Sequence, residues 1–101
     1  MNDDLLKDQE TLTLREVCEH CSLDQEAVVA YVQEGLVDVK GNNSGSWRFS
    51  EIHMIHIQKA SRLERDLRLN PAGSVLVLEL MNEIDRLKKQ LKFLQRQDNK
   101  D

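Results

Sequence analysis

"LDQEAVVAYVQEGLV", residues 23–37, is the stretch whose reading decides the fold. Asp24 is a good N-cap, Ala27, Val28, Tyr31 and Val32 recur at helical spacing, and Gly35 supplies the stop. Just upstream, "TLREV" at residues 13–17 reads as a capping box, in which Thr13 accepts from the Glu16 amide while Glu16 reaches back. The short helix it starts holds Leu14, Val17 and Cys18 inward, and a turn over residues 20–23 joins it to the second helix. The pattern is helix, turn, helix. Residues 23–37 nevertheless contain no lysine and no arginine, while Asp24, Glu26 and Glu34 supply three acids.

Downstream, residues 36–39 alternate weakly, "GNNSGS" at 41–46 is a turn, and "WRF" at 47–49 returns, which predicts a strand, a loop and a second strand. Ser50 caps the next helix, whose buried stripe is read as Ile52, Ile55, Ala60, Leu63 and Leu67. Asn70 followed by Pro71 is another N-cap with proline at the first helical position, and nothing interrupts the helix from Pro71 to about Gln97. At 1.5 Å per residue it runs roughly 40 Å, longer than a small domain can cover. Val77, Leu80, Ile84, Leu87, Leu91 and Leu94 step by threes and fours, with Glu83, Arg86, Lys88, Lys89 and Lys92 around them. That is an a/d heptad stripe. A helix packing back on its own domain would use its first turns, Val75, Val77 and Leu78. The distal half reads instead as a two-stranded coiled coil that makes a homodimer through Leu80, Ile84, Leu87, Leu91 and Leu94, because few other apolar stripes remain to cover it.

With 101 residues the chain is about one small domain, and a core of that size gains from a second copy or a partner. Charged residues make up 32% and aromatics 4%, with one proline and four glycines, a balance that suits long helices. The uncharged run from Leu69 to Leu78 is too short to cross a bilayer, and the acidic start "MNDDLLKDQE" has no apolar core, so neither membrane span nor signal peptide is expected. The expected compartment is the cytoplasm, with Cys18 and Cys21 reduced. The net charge of −4 hides an asymmetry. Residues 1–34 carry nine acids and two bases, and the rest carry 12 bases and 9 acids. An acidic front on a weakly basic body suits a basic protein surface better than nucleic acid.

The helix-turn-helix ending in "EGLV", the wing, the long helix and the arm resemble the MerR-type winged helix. The segments "WRF", "QKASRLERDLRL" and "LNPAGSVLVLELMNEIDRLKKQLKFLQRQ" make the chain more closely similar to the chaperone-modulator family CbpM. The resemblance covers about residues 11–97. It implies a mainly α fold: a MerR-like winged helix-turn-helix with a small two-stranded wing and a long C-terminal coiled-coil helix. The organisation read from it is a flexible N-terminus over 1–10, a winged domain over 11–70 and a dimerisation arm over 71–101. In DNA-binding relatives the position of Val29 is typically an arginine that grips phosphate, and that of Ala30 an aromatic. Arg48, in "WRF", keeps part of the family's wing pattern, and Tyr31 is retained as core.

Neutralised phosphates supply most non-specific DNA affinity, and a helix bearing Asp24, Glu26 and Glu34 is repelled by the backbone. The outward face of the second helix is predicted to be Gln25, Glu26, Val29, Ala30, Gln33 and Glu34, with Asp24 at its start. Small apolar residues ringed by acids suit a basic amphipathic helix, although such a face can also be plain solvated surface. The resemblance implies the partner: the basic J-domain of a DnaJ-like co-chaperone of the CbpA type, whose activity is then inhibited. The alternative is a MerR-like transcriptional regulator that binds DNA, and a third reading is an oligomerisation module alone.

Other constellations carry less. Cys18 and Cys21, with His20, are followed by 31 residues before His53 and His56, unlike the usual zinc spacings, and no βαβ unit surrounds the pair as a thioredoxin-like role requires. There is no glycine-rich phosphate loop, no serine elbow and no acid pair in an evident pocket. MerR-type sensors place ligand cysteines in or after the long helix, and this chain has none there. No metal, no cofactor and no enzymatic activity are expected.

Overall fold

The computed structural model describes residues 11–99, so the segment 1–10, expected to be flexible, lies outside the described residues. Among the described residues four helices follow one another: α1 (Leu14–Cys21), α2 (Gln25–Gln33), α3 (Glu51–Leu67) and α4 (Pro71–Asn99), with a 3-10 turn at Ser44–Ser46 between α2 and α3. Each helix starts at a side-chain cap that the sequence spells out. Thr13 and Glu16 form the reciprocal capping box, Asp24 accepts from the Ala27 amide at 2.8 Å, and Asn70 accepts from the Gly73 amide at 2.7 Å. Ser50 accepts from the His53 amide, while the Ser50 amide donates back to Nδ1 of His53 at 3.2 Å. A histidine thus occupies the place that glutamate usually takes.

The helix ends are less legible. Gly35, at φ 83°, stops α2 as its identity suggests, and the Leu36 amide closes on the Tyr31 carbonyl. Ser22 and Arg68 take the same left-handed conformation after α1 and α3, at φ 56° and 55°, without being glycine. There the Leu23 amide reaches the Cys18 carbonyl and the Leu69 amide the Glu64 carbonyl, and these bonds offset the steric cost of the Cβ.

The wing departs from the expected two strands. Lys40 and Arg48 form a single antiparallel bridge, and Phe49 pairs with Leu12 instead, through reciprocal backbone bonds of 2.7 and 2.8 Å. The reason lies in the loop. Asn43 caps a tight turn onto Ser46, and Gly41, at φ 131°, passes so close that a Cβ there would meet Ser46 Oγ at 2.5 Å. The loop therefore consumes the residues that would have extended the ladder. Phe49, fully buried, is anchored by the segment before α1, edge-on to Trp47 and His53.

Leu14, Val17, Val28, Tyr31, Val37, Phe49, Ile57, Ala60, Val75 and Leu78 form one core. Cys18, read as inward, is half-buried against it. The stripe expected on α3 needs correction: Ile52, Ile55 and Leu67 are exposed, and the buried side chains are Ile57, Ala60 and Ser61. The face is rotated because Glu64, one turn beyond Ala60, must meet the hydroxyl of buried Tyr31 on α2. α4 folds back on α3 and α2 with Ser74, Val75 and Leu78 buried and Val77 half-buried, as its first turns suggest. From Glu79 through Gln97 every residue is exposed.

His53 provides a pH test of this fold. Burial and the neighbouring His56 push its imidazole below the ordinary value of 6.5, with Asp38 opposing. The neutral ring is also the one whose Nδ1 can accept from Ser50. The unfolded chain therefore binds the proton first, so His53 contributes stability above about 6.5 that is lost as pH falls toward the folded value. Thermal midpoints should drop between about pH 7.5 and pH 5.5, and His53→Gln should flatten that slope. The depressed Glu16 carboxyl acts only below its ordinary 4.5, in a separate window.

Candidate partner-binding surface

α2 is fixed from beneath by Val28 and Tyr31, both almost fully buried, and its opposite side remains open. The Tyr31 hydroxyl donates to a Glu64 carboxylate oxygen, which ties α2 to α3 across 33 residues of sequence. Burial and the Glu64 carboxylate push the tyrosine well above its ordinary range, which keeps the hydroxyl as a donor. Tyr31→Phe removes that donor from a half-buried carboxylate and should lower unfolding stability by about 1–2 kcal/mol in denaturant titrations.

Over this frame a shallow groove runs along α2, lined by Asp24, Glu26, Ala27, Val29, Ala30, Gln33, Glu64 and Pro71. Its lining mixes the apolar Ala27, Val29, Ala30 and Pro71 with three carboxylates, and none of its lining side chains is basic. Of the residues expected on the outward face, the structure gathers Asp24, Glu26, Val29, Ala30 and Gln33 here. Gln25 does not join them: it opens with Arg15, Cys18 and Leu23 into a cleft between α1 and the 3-10 turn. Glu34, the C-cap, is exposed beyond the lining. Val29 and Ala30 are only half-exposed, and Val29 packs partly on the core. They shape the floor more than they project from it.

Three lining residues escape the sequence reading. Ala27, which the helical spacing groups with Val28, Tyr31 and Val32, is half-buried at the groove edge. Pro71 arrives because α4 starts beside α2. Glu64 comes from the middle of α3, where the sequence pattern around it looks merely charged. The one signal for it was the unmet need of a buried tyrosine hydroxyl for a partner.

The second surface is the arm. Leu80, Ile84, Leu87, Leu91 and Leu94 are each 49–58% exposed, a continuous apolar stripe with nothing on it. Among the described residues the ion pair is Arg86 with Glu83 on the same helix, at 2.5 Å. The thiols of Cys18 and Cys21 are free, and burial pushes both above the ordinary thiol range, Cys18 with help from Asp24. Among the described residues no three His, Cys, Asp or Glu side chains gather as a metal site, and no helix is long and apolar enough to cross a membrane.

Comparison with known proteins agrees with this layout. The family described as MerR HTH family regulatory protein matches residues 12–96. The chain is similar to the chaperone modulatory protein CbpM of Citrobacter koseri, 32% identical over 84 residues, which is 83% of each chain. It is also similar to those of Coxiella burnetii, 27% identical over 89% of this chain and 85% of the relative, and of Pseudomonas putida, 28% identical over 82% of each. The helical order, the acidic groove in place of a basic reading face and these matches agree: the chain belongs to the CbpM chaperone-modulator family, on a MerR-type helix-turn-helix scaffold.

Proposed function

We propose that the protein is a non-enzymatic inhibitor of a DnaJ-like co-chaperone of the CbpA type, acting in the cytoplasm as a homodimer. The groove over α2 seats a basic amphipathic helix of the co-chaperone's J-domain and so blocks that domain's access to the chaperone it serves. The observation that carries this reading is the composition of the groove: Val29, Ala30 and Pro71 as floor, with Asp24, Glu26 and Glu64 around them. A charged helix meeting that rim is steered to it at long range and then desolvates only a small apolar centre. The kinship with chaperone modulatory proteins supports a partner in the chaperone system, and the acidic lining of the groove favours this side of the molecule.

Calorimetric titration of the purified J-domain into the full chain tests it. Heat that shrinks steeply with added salt is the expected result. The absence of any heat at low salt would remove the proposal. A second reading, regulation of transcription, draws on the exposed Lys40 and Arg48 bridged across the wing. It requires retardation of duplex DNA with a steep salt slope, against the repulsion of the α2 carboxylates.

A further inference from the structure

The distal arm carries a second stripe that the heptad pattern does not use. From Arg86 to Gln97 there are five bases and no acid. Phe93, 60% exposed, lies one position away from the apolar seam, where a coiled-coil partner would leave it uncovered. Arg86, Lys89, Phe93 and Arg96 recur by three and four along one line of the helix, and Arg86, Lys89, Gln90, Phe93 and Leu94 enclose a small hollow. An aromatic anchor among bases on an exposed helix is the chemical counterpart of the α2 groove, an apolar floor among carboxylates.

We propose that this outer stripe docks in the α2 groove of a second copy of the chain, with Phe93 over Val29, Ala30 and Pro71 and the bases toward Asp24, Glu26 and Glu64. The arm cannot serve its own groove. Phe93 stands 15 residues beyond Leu78, the last buried residue of α4, or roughly 22 Å along a straight helix. The contact is therefore between molecules and builds head-to-tail assemblies beyond the basic oligomer. It occupies the surface assigned above to the J-domain. It thus rests on the reading of that groove as a seat for a basic helix, and it makes free inhibitor self-limiting: crowded copies mask one another, and the J-domain releases them.

Sedimentation of the full chain against concentration tests this, at about 50 mM and about 500 mM salt. The expected result is a mass that climbs with concentration at low salt and falls to the basic oligomer at high salt. Lys89→Glu, Phe93→Ala and Glu26→Lys should each weaken the association by about tenfold or more, and mixing Lys89→Glu with Glu26→Lys should restore it. All three positions lie outside the core, so the folded monomer unit is expected to persist, which circular dichroism checks. No rise in mass at low salt overturns the inference. Association that Lys89→Glu abolishes but Glu26→Lys leaves intact also overturns it, since the arm then sits on another acidic surface. Added J-domain should dissolve the assemblies. J-domain binding without any self-association sinks this inference alone, whereas self-association with no J-domain binding sinks the proposed function and leaves this contact standing.

Discussion

Leu87→Lys should turn a dimeric chain into a monomer and cost it most of the helix beyond residue 79. From Glu79 through Gln97 every residue of α4 is exposed, and all five leucine or isoleucine positions of the stripe are about half exposed. Most helical stability in proteins comes from packing an amphipathic face rather than from propensity, and this stretch buries none of its own within the chain. Among the described residues its one ion pair, Arg86 with Glu83, is half exposed and contributes little. On the proposed dimer, a surface laid against Leu80, Ile84, Leu87, Leu91 and Leu94 supplies that packing. Leu87 sits at the middle of that set. Removing one leucine from each of two facing helices forfeits roughly 3–6 kcal/mol of burial, and two ammonium groups placed in the same layer add repulsion. The dissociation constant should rise at least about a hundredfold. Light scattering would show the mass halve at micromolar concentration, and far-ultraviolet circular dichroism would show the arm's helical signal fall with it. Asn82→Lys, on the side away from the stripe, should leave both unchanged. A dimer that survives Leu87→Lys would assign the interface to other residues, with exposed Ile52 and Ile55 of α3 the next surface to test.

The arm and the caps were the most legible parts of this chain, and the reason is locality. A capping box, an Asn-Pro start and a heptad stripe are each set by residues three or four apart, so their geometry is written in the sequence itself. The α3 stripe was misread for the opposite reason. Ala60 turns inward as expected, but Ile57 and Ser61 join it while Ile52, Ile55 and Leu67 stay exposed, because the register of α3 answers to Tyr31 and Phe49 on other elements. The wing was legible only in part, as the single Lys40–Arg48 bridge shows. The alternation of "LVDV" and "WRF" is compatible with a hairpin, yet Phe49 has a better backbone partner in Leu12, 37 residues earlier. The groove over α2 was half legible. Helical periodicity placed Glu26, Val29, Ala30 and Gln33 on one side, whereas Gln25 turned toward α1, and Glu64 and Pro71 entered from elements whose approach only the tertiary fold determines.

That division also orders the effects expected of charge reversal on J-domain binding. Glu26 lines the groove and Glu34 stands outside it, both exposed on α2 or its cap. Reversal at either should leave the fold intact to within about 1 kcal/mol, since neither packs in the core, although Glu26 in the first turn also forgoes a favourable position on the helix dipole. Glu34→Lys changes only the field an approaching basic helix feels. It should slow association severalfold, leave dissociation nearly unchanged, and lose its effect once salt shortens the screening length to a few ångströms. Glu26→Lys places an ammonium against the bases of the bound helix at the rim of an apolar floor, where screening is weaker. It should therefore speed dissociation as well as slow association, for a total loss on the order of 10–100-fold that high salt only partly restores. The two variants together should approach the sum of their separate free energies, because one acts at a distance and the other at contact. Rates measured by surface plasmon resonance at two ionic strengths separate these terms. Equal and wholly salt-erased effects at both positions would place the J-domain near α2 without seating it in the groove, and unchanged rates for both would move the contact off this helix altogether.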